Sequence, residues 1–207
     1  MGNTRQRVCA LAITAVAITI LGSCGEDPGG TVDDGTESTA TPASLLFPDD
    51  FQGVCSGATV SAATAYDPAA GSHKALYFAT YRDDFLDQSS SLPADWTVLF
   101  SPDTNALAAV DLVLCARRTA ATPVKICDGY EDDGNATQNQ VRWHTATYEL
   151  SVREAQSGNV LATSTADATG TNCPMLMSFD GDSDSVDGYA SLPDTVIADF
   201  LRPFIAP

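Results

Sequence analysis

Apolar and polar residues alternate over residues 145–153. Ala146, Tyr148, Leu150 and Val152 fall on one side, and Thr145, Thr147, Glu149, Ser151 and Arg153 on the other. A period of two is that of a strand with one buried and one wet face. Gln156-Ser157-Gly158-Asn159 then supplies turn residues and residues 160–165 read as a returning strand, so residues 141–168 predict an antiparallel hairpin. Residues 110–116 are apolar at consecutive positions except Asp111, the pattern of a strand covered on both faces. Residues 73–81 and 123–127 are further strands, and 57–66 a weaker one, each set off by Gly, Pro or Asp. Residues 85–91 are ambiguous, being short and rich in Ser. Helical spacing appears only near the C-terminus. There Val196, Ile197, Phe200 and Leu201 share a face, Ser191 or Asp194 can cap, and Pro203 is expected to end the helix. The expected fold is β-rich α+β, an antiparallel sandwich or rolled sheet of about six to eight strands with a short C-terminal helix.

A different pattern occupies the N-terminus. Arg5 and Arg7 precede an uncharged stretch, residues 8–21, which is shorter than the roughly 20 residues a membrane-spanning helix needs. Small residues and a cysteine follow, completing the three parts of a cleaved export segment. The closing Leu21-Gly22-Ser23-Cys24 resembles the lipobox of bacterial lipoproteins. The resemblance implies that residues 1–23 are a signal peptide and that Cys24, carrying a diacylglyceryl group, is the mature N-terminus. The protein would then be anchored to the outer face of the bacterial cell membrane. The plainer alternative is an ordinary secretory peptide with Cys24 left as a thiol. Residues 25–44 contain one Val and no larger apolar side chain, so with Cys24 they read as a flexible acidic linker. Residues 45–207 remain as a single extracytoplasmic domain.

Charge narrows the partners. The chain carries −17, and loss of Arg5 and Arg7 with the leader takes it to −19. Nucleic acid and anionic lipid surfaces are recognised by Lys and Arg, so neither is an expected partner. Of six cysteines, Cys9 leaves with the leader and Cys24 takes the lipid, which leaves Cys55, Cys115, Cys127 and Cys173. An even number in an exported domain reads as two disulfides. A zinc site or a redox pair would need the close Cys-x-x-Cys spacing that is absent. Three connectivities are possible. The preferred one joins Cys127 to Cys173 across the ends of the hairpin, and Cys55 to Cys115, linking the first strand to the central apolar one.

Catalytic motifs are missing. The chain has no Gly-x-Ser-x-Gly, His-Glu-x-x-His, Gly-x-x-x-x-Gly-Lys-Ser/Thr or Gly-x-Gly-x-x-Gly, and no cofactor is expected. Its two histidines are read as a sheet-margin residue, His144, and a surface residue, His73. Asp180, Asp182 and Asp184 alternate as calcium ligands do, yet Ser185 stands where the sharp-turn Gly is expected and Ser191 where the closing Glu would be. They are a weak metal candidate beside the reading as a solvated loop. Asp128, Glu131, Asp132 and Asp133 form a second acidic loop. Trp143, on the polar side of its strand, is the candidate binding surface, since an aromatic there can stack on a sugar or anchor a partner; the alternative is packing under a loop.

The run 148–155, Cys173-Pro174 and Phe200-Leu201-Arg202-Pro203-Phe204 resembles a pattern of uncharacterised secreted and lipid-anchored actinobacterial proteins. That resemblance implies envelope residence and a stapled β domain, with no activity attached. The function expected is a non-catalytic interaction module that meets another envelope protein or a cell-wall polymer. A small-ligand or cation-capturing lipoprotein serving a transporter or sensor is the alternative, and an enzyme of unknown class the third.

Overall fold

The computed structural model describes residues 45–82, 85–179 and 184–205. The main sheet has six strands. Strands β1 (Ala75–Arg82), β2 (Phe85–Ser89), β3 (Leu112–Cys127), β6 (Gln140–Glu154) and β7 (Val160–Ala168) run in the order β2-β1-β3-β6-β7, and β8 (Ser185–Tyr189) joins β6 beside β7. Strands β4 (Glu131–Asp132) and β5 (Asn135–Ala136) make a separate small hairpin. Helices are α1 (Pro48–Gln52) and α2 (Asp194–Ile205), with 3-10 turns at Gly53–Ser56 and Ala106–Ala109.

The β-rich α+β class and the C-terminal helix are as expected. The sheet is open and mixed: β1 pairs β3, and β6 pairs β8, in parallel. Its second face is covered by helical pieces and loops. On the first face, Tyr77, Leu112, Leu114, Leu150 and Val152 pack under Ile197, Leu201 and Ile205 of α2. On the other, Leu76, Phe78 and Val113 pack under Phe51, Val54 and Leu107. A central strand buried on both faces explains the unbroken apolar run at 112–116.

The hairpin of β6 and β7 has the expected alternation, with Ala146, Tyr148, Leu150 and Val152 buried. Both disulfides join as expected, Cys55 to Cys115 and Cys127 to Cys173, with Cα atoms 5.7 and 5.8 Å apart. Cys55 sits on a 3-10 turn rather than a strand.

Three expectations are corrected, and one ambiguous stretch is resolved. The weak strand at 57–66 is turn and loop, because its backbone bonds go to scattered partners such as Ala155 and Ala108. Residues 85–89, in the ambiguous stretch, form the edge strand β2. The two strands expected at 110–116 and 123–127 are one, β3. Pro123 sits where the register with β6 shifts, between Pro123 and Lys125, and β1 pairs only with residues 112–116, so the proline falls at a bulge in a stretch of β3 paired on one side. Pro203 does not stop α2, which continues to Ile205. The proline lies on the exposed side in the last turn, where the Asp199 carbonyl it leaves unbonded is open to water.

Candidate functional site

The far end of β3 builds the site. At Cys127 the chain leaves the sheet through Asp128, Gly129 and Tyr130 into the β4–β5 hairpin, whose turn residues Asp133 and Gly134 have φ of 48° and 77°. Positive φ at both central positions is the geometry of the tight hairpin turn that suits twisted strands, and a short acidic residue followed by glycine adopts it readily. The disulfide brings Cys173 and the loop after it alongside. Tyr130 holds the two together: its hydroxyl donates to the Pro174 carbonyl at 3.1 Å, its ring meets Phe179 edge-on at 5.4 Å, and its own carbonyl accepts from the backbone and hydroxyl of Thr137. Burial pushes the Tyr130 phenol pKa upward.

Between these segments lies a hollow of about 690 Å³, open to solvent, with Asp128, Glu131 and Asp132 on one side and Met175, Leu176 and Phe179 on the other. Met175 and Leu176 are 93% and 90% exposed. Two adjacent apolar side chains are thus left uncovered beside carboxylates. Methionine there is adaptable, since its unbranched thioether fits irregular partners.

The sequence candidates fall elsewhere. Trp143 is half-buried and packs at the margin of the first core, and its Nε1–H donates to the Gly170 carbonyl at 2.9 Å. Cys24, Asp180 and Asp182 lie outside the described residues. Asp184 is exposed, and its carbonyl accepts from the Gln140 N–H where β8 begins to pair. Among the described residues, no group of three or more His, Cys, Asp or Glu is placed to hold a metal ion.

His144 does stand at the sheet margin. Its Nε2 meets Asp187 at 3.0 Å and its ring lies against Tyr189, over which Arg118 is stacked at 3.5 Å. Arg142 grips both oxygens of Asp187, at 2.8 and 2.9 Å. That bond, and to a lesser degree His144, holds the Asp187 carboxyl below the usual carboxylate range.

His73 is the correction. It is 2% exposed, with Nδ1 2.5 Å from Asp111 Oδ2 and its ring against Tyr66. The second oxygen of Asp111 accepts from the Lys74 N–H, so the pair pins the start of β1 to the start of β3. Its Nε2 is buried without a hydrogen-bond partner. The dyad is closed off from solvent and ties the two strand starts together. The chain matches no protein-family model, no curated protein and no solved structure.

Two disulfides belong to an oxidising, extracytoplasmic compartment. No described helix is long and apolar enough to cross a membrane.

Proposed function

We propose that this protein is a lipid-anchored module of the bacterial envelope that acts by binding, and that its stapled hollow captures a basic, amphipathic segment of another envelope protein. The observation that carries this reading is the juxtaposition of three carboxylates, Asp128, Glu131 and Asp132, with the uncovered Met175 and Leu176 around one hollow. Lysine or arginine on the partner would meet the acidic side, and its apolar residues the Met-Leu tip. The charge of −19 left after loss of the leader adds a long-range field that draws such a partner in and weakens with salt. A small organic cation is the second reading, because the volume lies within the range of small-molecule sites. Cys24 supplies the tether in this proposal, and mass analysis of the native N-terminus checks it: cleavage elsewhere or an unmodified thiol would refute the anchor.

The binding claim is tested by titrating the chain with a peptide of alternating Lys and Leu, a matched Glu and Leu peptide, and spermidine. The Lys peptide should bind and the Glu peptide should not. Asp128→Asn, Glu131→Gln and Asp132→Asn together should weaken the complex and flatten its salt dependence. Met175→Ser with Leu176→Ser should weaken it at every salt concentration. Equal binding of both peptides, or indifference to both sets of changes, would refute the proposal. Tight spermidine binding that tolerates the serine changes would favour the small-cation reading.

A further inference from the structure

Trp143 stands directly opposite Gly188 in the parallel pairing of β6 with β8. A Cβ on that glycine would lie 2.8 Å from Trp143 Cε3 and 3.0 Å from Cζ3, so the indole lies against the bare backbone of the neighbouring strand. Its Nε1–H, bonded to the Gly170 carbonyl, fixes the ring's rotation. The side chain is nonetheless only half-buried. An aromatic held in a single orientation and still partly open has already given up the rotamer freedom that binding would otherwise cost.

Thr145 and Thr147 follow Trp143 at alternate positions of β6, the spacing of one strand face, while the Trp143 ring also reaches the margin of the first core. They help line a shallow depression of about 270 Å³ with Thr122, Asp167 and Thr169. The Thr147 hydroxyl donates to Asp167 Oδ1 at 2.7 Å, and the Thr145 hydroxyl is 3.4 Å from the Thr122 carbonyl. No Lys, Arg or His is among the residues lining it. From Trp143 to Thr147 the strand spans roughly 13 Å.

We propose that this surface binds a neutral carbohydrate chain, one sugar ring stacking on the Trp143 indole and the next units laying their hydroxyls on Thr145, Thr147 and Asp167. A pyranose offers an apolar C–H face and a rim of hydroxyl donors and acceptors. The aromatic ring meets the first, and the threonine hydroxyls and Asp167 carboxylate meet the second. Among the described residues, Lys125, the β3 partner of Trp143, is the one cation in register with this surface; Asp167 in the depression and the net charge of the chain still disfavour an anionic polysaccharide. The length of the surface suits several linked sugars better than one. The site is separate from the stapled hollow and stands or falls without it.

The chain has two tryptophans, so Trp96→Phe leaves Trp143 as the sole indole fluorophore. The full chain with that change is titrated with cellohexaose, with the hexamer of N-acetylglucosamine and with hyaluronate as the charged control. At least one neutral hexamer should shift Trp143 emission saturably, and hyaluronate should not. Asp167→Ala, an exposed change that leaves the melting temperature in place, should weaken binding at least about tenfold, as loss of a charged hydrogen-bonding group does. Trp143→Phe should retain part of the affinity and Trp143→Ala lose it, read by calorimetry. No saturable response to either neutral hexamer, equal binding of hyaluronate, or unchanged affinity in Asp167→Ala would overturn the proposal.

Discussion

Replacing Gly188 by alanine tests the packing at the edge of β6 in a single methyl group. Gly188 is buried, and its Cβ would fall 2.6 Å from Val141 Cγ1 and 2.8 Å from Trp143 Cε3, inside the distances real Cβ atoms keep. Its φ is not in the left-handed region, so backbone strain plays no part. Two effects oppose each other. Loss of glycine's freedom in the unfolded chain favours alanine by about 0.4–1 kcal/mol. Overpacking against Val141 and Trp143 costs about 1–3 kcal/mol, and Val141 is fully buried with little room to retreat. The net expectation is destabilisation of about 1–2 kcal/mol, read as a fall in the urea midpoint at constant m-value and a drop in Tm of roughly 2–4 °C per kcal/mol. The Trp143 emission should move as the ring lifts. Val141→Ala in the same chain should relieve part of the clash, so the double variant should be more stable than the sum of the single effects by at least about 0.5 kcal/mol. A neutral or stabilising Gly188→Ala, or strict additivity with Val141→Ala, would refute this account of the β6–β8 contact.

The disulfides close stretches of 60 and 46 residues, so cleaving either should cost roughly 4 kcal/mol on the chain-entropy model. Peptide mapping without reduction should recover the two pairs, and Cys127→Ser with Cys173→Ser should also abolish peptide capture at the hollow; capture at wild-type strength would separate the staple from the site. Asp187 titrates below its unfolded value near 3.9 because Arg142, and then His144, bond its charged form. Its contribution is therefore present above about pH 4 and lost as the pH falls through the lower folded value. The Tm difference between wild type and Asp187→Asn should shrink as the pH falls below 4, by a small amount since the pair is open to water. A difference independent of pH would refute the pairing.

How far the chain could be read without coordinates depends on whether a feature is local. The β6–β7 hairpin was legible because period, turn residues and partner all lie within thirty residues. The doubly covered start of β3, residues 112–116, was legible because an unbroken apolar run leaves no wet face. The parallel pairing of β1 with β3 has no such signature: it joins segments separated by β2 and a long loop, and alternation in one strand says nothing about the direction of its neighbour. His73 misled for a related reason. Gly71-Ser72 before it reads as a surface turn, and only Asp111, 38 residues away, explains its burial. Asp111 was the visible clue, as the lone charge in the run that became a central strand; a buried carboxylate needs a partner, and the chain has two histidines from which to choose.

The stapled hollow shows the same limit in sharper form. Residues 128–133 look like a solvated acidic loop, and nothing in 173–179 has a period at all, so neither segment announces a site alone. What joins them is the Cys127–Cys173 bond, and that pairing was among the expectations. Once it is accepted, Asp128, Glu131 and Asp132 must lie within a loop's reach of Met175 and Leu176. Uncovered apolar residues next to carboxylates follow from covalent connectivity and composition. The disulfide pattern therefore carries more information about the candidate site than the aromatic residue Trp143. Trp143 drew attention as a side chain on the polar face of a strand, yet its ring is bonded to Gly170 and laid against Gly188. Whether it still offers a face to a ligand depends on a glycine in β8, a strand that gave no reading of its own in the sequence.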